Sequence, residues 1–187
     1  MIGEYKGEVK YKVVTALLQA YQDVLDFDGM KSILREAEML HIKNIREENQ
    51  DQYLDLFSFK KIISAQNCLL YDSSMLLFEI GKKFSFYLFP YGKNFDEIIH
   101  EINSSIITDW KVNIIENKDD LKIVSVQKCL FCSEIGVPCD MFKGFLVHSL
   151  EKSLPSDINV SYYAERENLN EPDHNTFILH MKIEKKY

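Results

Sequence analysis

The chain has 187 residues, of which 46% are hydrophobic and 27% charged; this is one globular domain's worth and excludes intrinsic disorder. It contains only 7 Gly and 4 Pro, against roughly 13 and 9 at average usage, so long regular elements are expected and Gly-rich phosphate or dinucleotide loops are excluded. The net charge of −7, from 22 Lys+Arg against 29 Asp+Glu, excludes a non-specific nucleic-acid binder, which needs a basic surface.

The N-terminal segment is polar and mixed in charge, so no secretory signal is expected. No run of 18 apolar residues occurs, so no membrane span is expected either. A cytoplasmic protein is the resulting expectation.

Along the chain, Val13, Leu17, Ala20, Tyr21 and Val24 recur at helical spacing and predict a helix over 13–26. Asp28 is the predicted N-cap of a second helix over 30–42. The polar stretch 44–53 reads as a loop. Ser58 is the predicted cap of the next helix, and Asp72, Ser73 and Ser74 offer the start of another, ending at Pro90-Tyr91-Gly92. Asn94 or Asp96 starts a shorter helix. From Asp109 the pattern becomes alternating: residues 110–116 and 121–127, joined by Asn117-Lys118-Asp119-Asp120, predict a β-hairpin. Asp140 is the predicted cap of a helix that ends before Pro155. Residues 158–166 and 175–185, joined through 168–174, predict a second hairpin. The fold class is therefore α+β: N-terminal helices, then β-hairpin, helix, β-hairpin, with helices packed on a four-stranded antiparallel sheet.

The chemistry-bearing feature is Cys129-x2-Cys132-x6-Cys139, three thiols within 11 residues. Zinc takes four tetrahedral ligands, so a fourth from Glu165, His174 or His148 is required. The competing readings are three reduced cysteines packed as small hydrophobes and a redox dithiol. His100-Glu101 lacks the second His of a zinc-protease motif. Phe78, Phe84, Phe86, Tyr87, Phe89 and Tyr91 crowd 14 residues; they cannot all face one core from one helix, so core, dimer interface and ligand-pocket lining are all open.

Cys129-Leu130-Phe131-Cys132, Pro138-Cys139, Lys143-Gly144-Phe145 at the start of a helix, and Glu165 in the following strand resemble the 4-vinyl reductase, or hydrocarbon-binding, domain family. Tyr71-Asp72 and Phe78-Glu79-Ile80-Gly81-Lys82 resemble its upstream helix. The resemblance covers roughly residues 55–184. It implies a fold shared with subunits of the TRAPP tethering complex and with haem-containing nitric-oxide sensors. It also implies dimerisation through helices and an interior apolar cavity. Cys139 and Glu165 match two zinc positions of the family's sensor relatives, whereas Asn168 and Asn175 stand where those relatives have cysteines, and Asn is a poor zinc ligand.

Taken together, these features predict an extension over 1–54 and a hydrocarbon-binding-like domain over 55–187. The leading expectation is a homodimeric binding domain, sensor or carrier, for a hydrophobic or aromatic ligand, and not an enzyme. Tyr71, Phe78, Phe84, Phe142, Phe145 and Tyr162 are its expected lining. Cys129, Cys132, Cys139 and Glu165 form the candidate zinc set. A metal- or thiol-dependent enzyme of the vinyl reductase type and a structural adaptor are the alternatives.

Overall fold

The first long helix is one element with a break in it. In the computed structural model, which describes residues 6–90, 92–132, 139–166 and 175–185, α1 runs Tyr11–Glu36 but Asp26 sits at φ 63°, ψ −177°. Its carboxylate accepts hydrogen bonds from the backbone N–H groups of Asp28 and Gly29. Asp26, not Asp28, thus caps the second half, because an Asx side chain satisfies the N–H groups two and three residues ahead of it. That half ends at Glu36, and 40–42 is a separate 3-10 turn.

The other helices begin where their caps place them. α2 is Leu56–Leu69, and its cap is Asp55, whose side chain accepts from the Ser58 N–H. α3 is Ser74–Leu88, where Ser73 makes no side-chain capping bond and only its carbonyl accepts, from the Leu77 N–H at 3.0 Å. α4 is Phe95–Ser105, opened by a full capping box between Asn94 and Glu97. α5 is Asp140–Ser153, with Cys139 at the N-cap and Asp140 as the first helical residue. Tyr91 and residues 133–138 and 167–174, on which parts of the sequence reading fall, lie outside the described residues.

Two sheets form. β1 (Glu8–Lys10) pairs antiparallel with both β2 (Tyr53–Asp55) and β3 (Ile106–Ile107). These strands have two or three residues, too short for any alternation to show in the sequence. The larger sheet has β4 (Lys111–Asn117), β5 (Leu121–Gln127), β6 (Ile158–Arg166) and β7 (Phe177–Lys185) in the order β4-β5-β7-β6, all antiparallel. The two expected hairpins are joined by pairing Val124 with Leu179 and Val126 with Phe177. Val112, Val124, Val126, Leu179 and Met181 are buried, so one face covers the core. A bulge between Ile114 and Glu116 turns Ile115 out to solvent.

Residues before 55 share this core. Val9, Val13, Leu17 and Tyr21 are fully buried within one apolar cluster that includes Ile62, Phe84 and Phe145. The tightest crossing is α3 on α5. A Cβ on Gly81 would lie 1.8 Å from the Met141 carbonyl oxygen, and one on Gly144 would lie 2.2 Å from that of Phe78. Each glycine is a notch for the backbone of the opposite helix. Beyond the notches, Ser85 and Ser149 share a buried hydrogen bond of 2.7 Å. Lys152 then donates to the Phe89 carbonyl and lies over the Phe86 ring.

Candidate metal centre

The cysteines meet where β5 ends and α5 begins. After Gln127 the chain turns at Lys128, whose φ of 51° is the left-handed conformation. The Cys129 N–H then donates to the Asn175 carbonyl at 2.7 Å, anchoring this turn to the residues that lead into β7. Phe131 follows, fully within the core. Cys139 returns as the N-cap residue of α5, its carbonyl accepting from the Lys143 N–H at 3.0 Å.

All three thiols are buried: Cys129 and Cys132 are 1% exposed and Cys139 5%. Their Sγ atoms lie within 4.8 Å of one another, with Cys129 and Cys139 at 3.1 Å. Burial opposes charge on every one of them. At Cys129 that opposition is outweighed by hydrogen bonds from Cys132, from Cys139 and from the backbone N–H groups of Phe131 and Cys132, and its thiol titrates well below the ordinary range. Burial, together with the neighbouring Cys129, pushes Cys132 and Cys139 well up. Of the three, Cys129 is the sulfur on which charge is most favoured. Three converging sulfurs form the chemistry of a soft-metal site.

Among the described residues no fourth His, Cys, Asp or Glu joins the three. The Glu165 carboxylate lies on β6, 3.4 Å from His180 Nε2, on the side of the sheet where Tyr163 stacks on His180 at 4.4 Å. His148 faces Glu151 at 3.5 Å. Cys68 is exposed on α2. Asn168 and His174 lie outside the described residues, and Asn175 touches the centre through its backbone.

The six aromatic candidates separate into three places. Phe84, Phe142 and Phe145 are fully buried and belong to one ring cluster with Phe131 and Trp110. Phe131 stacks on Phe142 at 5.0 Å, and Phe142 on Phe145 at 5.2 Å. Phe78 stacks on Tyr162 at 5.3 Å, joining α3 to β6, while Tyr71 is exposed between α2 and α3. Three grooves lie along the helices. One of them, about 340 Å³, runs beside Phe57, Lys60, Ser64 and Cys68, and none of the three is lined by Phe84, Phe142 or Phe145. No described helix is long and apolar enough to cross a membrane.

Sequence reasoning missed the residues of α2 that reach the centre. Asn67 Nδ2 donates to the Phe131 carbonyl at 3.4 Å, and Lys60 Nζ to the Leu130 carbonyl at 3.4 Å. Their signal was two adjacent amides, Gln66 and Asn67, in a helix whose other inward residues are the apolar Leu56, Phe59, Ile62, Ile63 and Ala65.

No protein-family model matches the chain, so the 4-vinyl reductase resemblance gains no support there, and no curated protein matches it either. Solved structures do: they are H-NOX domains, the nitric-oxide sensor fold that the resemblance implied as a relative. A mutant of Cs H-NOX aligns with a TM-score of 0.62 at 14% identity, covering 95% of this chain and 98% of that one. A mutant of T. tengcongensis H-NOX gives 0.62 at 14%, with 95% and 99% covered. An oxygen-binding H-NOX domain related to soluble guanylate cyclases, in its oxygen complex, gives 0.59 at 13%, with 96% of both covered. The α+β chain thus has the H-NOX fold, and at this identity the likeness is one of fold.

Other structures among these neighbours concern haem distortion in the H-NOX family, so the fold implies a haem. The described residues do not fit one. Of the described histidines, His41 and His100 are exposed, and His148 and His180 are half-buried, each facing a carboxylate as above. The face that α4 turns inward carries Phe95, Ile98, Ile99 and Ile102. The rings at the centre already touch one another, so the described residues leave neither an axial nitrogen nor a slot for a macrocycle.

Proposed function

We propose that the chain is a small-molecule sensor domain on the H-NOX fold, with the three-thiol centre in place of a haem. Cys129, Cys132 and Cys139 bind one zinc ion, and the fourth position takes water or an exogenous small ligand. The observation that carries this reading is the convergence of three buried Sγ atoms within 4.8 Å, with no fourth described ligand residue among them. Zinc sites with three protein ligands and one open position are the reactive kind, whereas closed four-ligand sites are structural. The H-NOX neighbours support a role in binding small molecules, since one of them is an oxygen complex. Among the described residues nothing at the centre supplies a general base or a positioned nucleophile–base pair, which favours binding over turnover.

Metal analysis of protein purified without chelator tests it. About one zinc per chain is expected, falling sharply in Cys132→Ser. Less than about 0.1 per chain, not restored by added zinc, overturns it.

A second reading keeps an apolar ligand. It is favoured by the Phe78–Tyr162 stack, where Tyr162 is 43% exposed at the seam of α3 and β6. Native mass spectrometry is expected to find an adduct lost in Tyr162→Ala; an unliganded mass under gentle conditions removes it.

A further inference from the structure

The cysteine turn is held by α2 through the backs of its own peptide groups. Three peptide units separate Cys129 from Cys132 along the turn, and the last two are Leu130–Phe131 and Phe131–Cys132. The N–H groups of the same two units, belonging to Phe131 and Cys132, favour charge on the Cys129 sulfur. The carbonyl of each, belonging to Leu130 and Phe131, accepts from Lys60 and Asn67 respectively, both at 3.4 Å. In a planar trans peptide the C=O and N–H vectors point in opposite directions. A donor gripping the oxygen from one side therefore sets the aim of the hydrogen on the other.

Asn67 does not stand alone behind that grip. Tyr21 Oη donates to Gln66 Oε1 at 2.9 Å, and Gln66 Nε2 donates to Asn67 Oδ1 at 3.0 Å. Tyr21 and Gln66 are 0% exposed and Asn67 4%. Buried polar groups of this kind are costly unless paired, and here every donor runs the same way, from α1 through α2 into the turn. Aligned donors polarise one another, which strengthens the last bond of the chain.

We propose that Lys60 and Asn67 are positioning residues for the thiol centre, each fixing one amide N–H on the Cys129 sulfur, with Gln66 and Tyr21 holding Asn67 in place. This rests on the metal-centre reading for its functional meaning. Amide hydrogen bonds to a coordinating sulfur orient its lone pairs and offset its charge, as outer groups do at other metal sites.

The test uses the full chain and cobalt(II) alone as the probe. Asn67→Leu keeps the side chain's bulk and removes the donor; Lys60→Met does the same at the half-buried edge of α2; Lys60→Arg keeps a donor. Cobalt affinity is expected to fall about 10- to 100-fold in the first two, with a shifted sulfur-to-cobalt charge-transfer band, and to stay near wild type in Lys60→Arg. Wild-type affinity and spectrum in both donorless variants overturn the proposal. Amide exchange on metal-free protein reads the aim separately. Exchange at Phe131 is expected to quicken at least about fivefold in Lys60→Met, and exchange at Cys132 likewise in Asn67→Leu. Unchanged protection at both overturns the positioning role even if cobalt binds. Wild-type protein that takes no cobalt but shows this paired pattern sinks the metal reading and leaves the positioning intact. If Asn67→Leu does not fold, Lys60→Met and Lys60→Arg decide.

Discussion

Replacing Gly81 with alanine probes the α3–α5 crossing on which the centre is mounted. On helix propensity alone the change stabilises by about 1 kcal/mol. The structure predicts the opposite sign. The new methyl would sit 1.8 Å from the Met141 carbonyl oxygen and 2.8 Å from the Phe145 amide nitrogen. Both are backbone atoms of α5, so no side-chain rotation relieves them, and α5 must retreat by more than about 1 Å to reach ordinary contact. That retreat draws Phe145 away from Phe84, now 5.1 Å apart between ring centres, and loosens a close-packed core. Overpacking of this kind costs about 1–3 kcal/mol, and lost ring contact adds to it. A net loss of about 2 kcal/mol is expected, or roughly 4–8 °C in Tm for a chain of this size. Urea titration followed by circular dichroism measures it. An alanine variant as stable as the wild type, or more so, would refute the close-approach argument and leave Gly81 incidental.

Three other outcomes follow from the geometry. Haemin added to the purified protein is expected to give the spectrum of free haemin, and a stoichiometric shifted Soret band would show that the aromatic centre opens. Asn94→Ala removes the capping box of α4 and is expected to cost about 1 kcal/mol, read by thermal melting; no change would mean that packing of Ile98 and Ile102 alone sets the helix start. Asp23 on α1 is held below the ordinary carboxylate range by Lys83 at 2.9 Å, against partial desolvation, with help from Tyr87. Its folded pKa is lower than its unfolded one, so its contribution is present above the unfolded value near pH 4 and is lost as pH falls through the folded value. Asp23→Asn is expected to lower stability by about 0.2–1 kcal/mol near pH 7, since the pair is exposed, and by less near pH 2. A difference that does not shrink with acid contradicts the ion-pair account.

What the sequence revealed depended on the range over which each signal acts. The hairpins were legible because residues 111–117 and 121–127 alternate over a full strand length, and α4 because Asn94 and Glu97 form their cap within four residues. The break in α1 was visible through Asp28, the predicted cap of a second helix, but the cap is Asp26, whose backbone leaves the helix while its side chain stays bonded to the next turn. β1, β2 and β3 were invisible: two or three residues carry no period, and their pairing joins positions about 45 to 100 residues apart. At the centre, the three cysteines announced themselves by spacing. Their partners on α2 did not, because Asn67 and Lys60 act on backbone carbonyls 64 and 70 positions away, a relation only the folded chain creates. The aromatic residues were correctly seen as bulk, but which rings touch is decided by the α3–α5 approach.

That approach also decides how the molecule can move. Two interlocking notches at Gly81 and Gly144, a serine pair further along and a lysine clasped over the end of α3 are four fastenings in a row on one seam. A helix pair fastened at a single point can pivot, and a smooth seam can slide by shear. This seam permits neither without breaking backbone contact, so α3 and α5 form a single stiff lever. Cys139 sits at one end of that lever and Lys152 near the other. A displacement of the thiol centre along the helix axis would arrive at the far end undiminished.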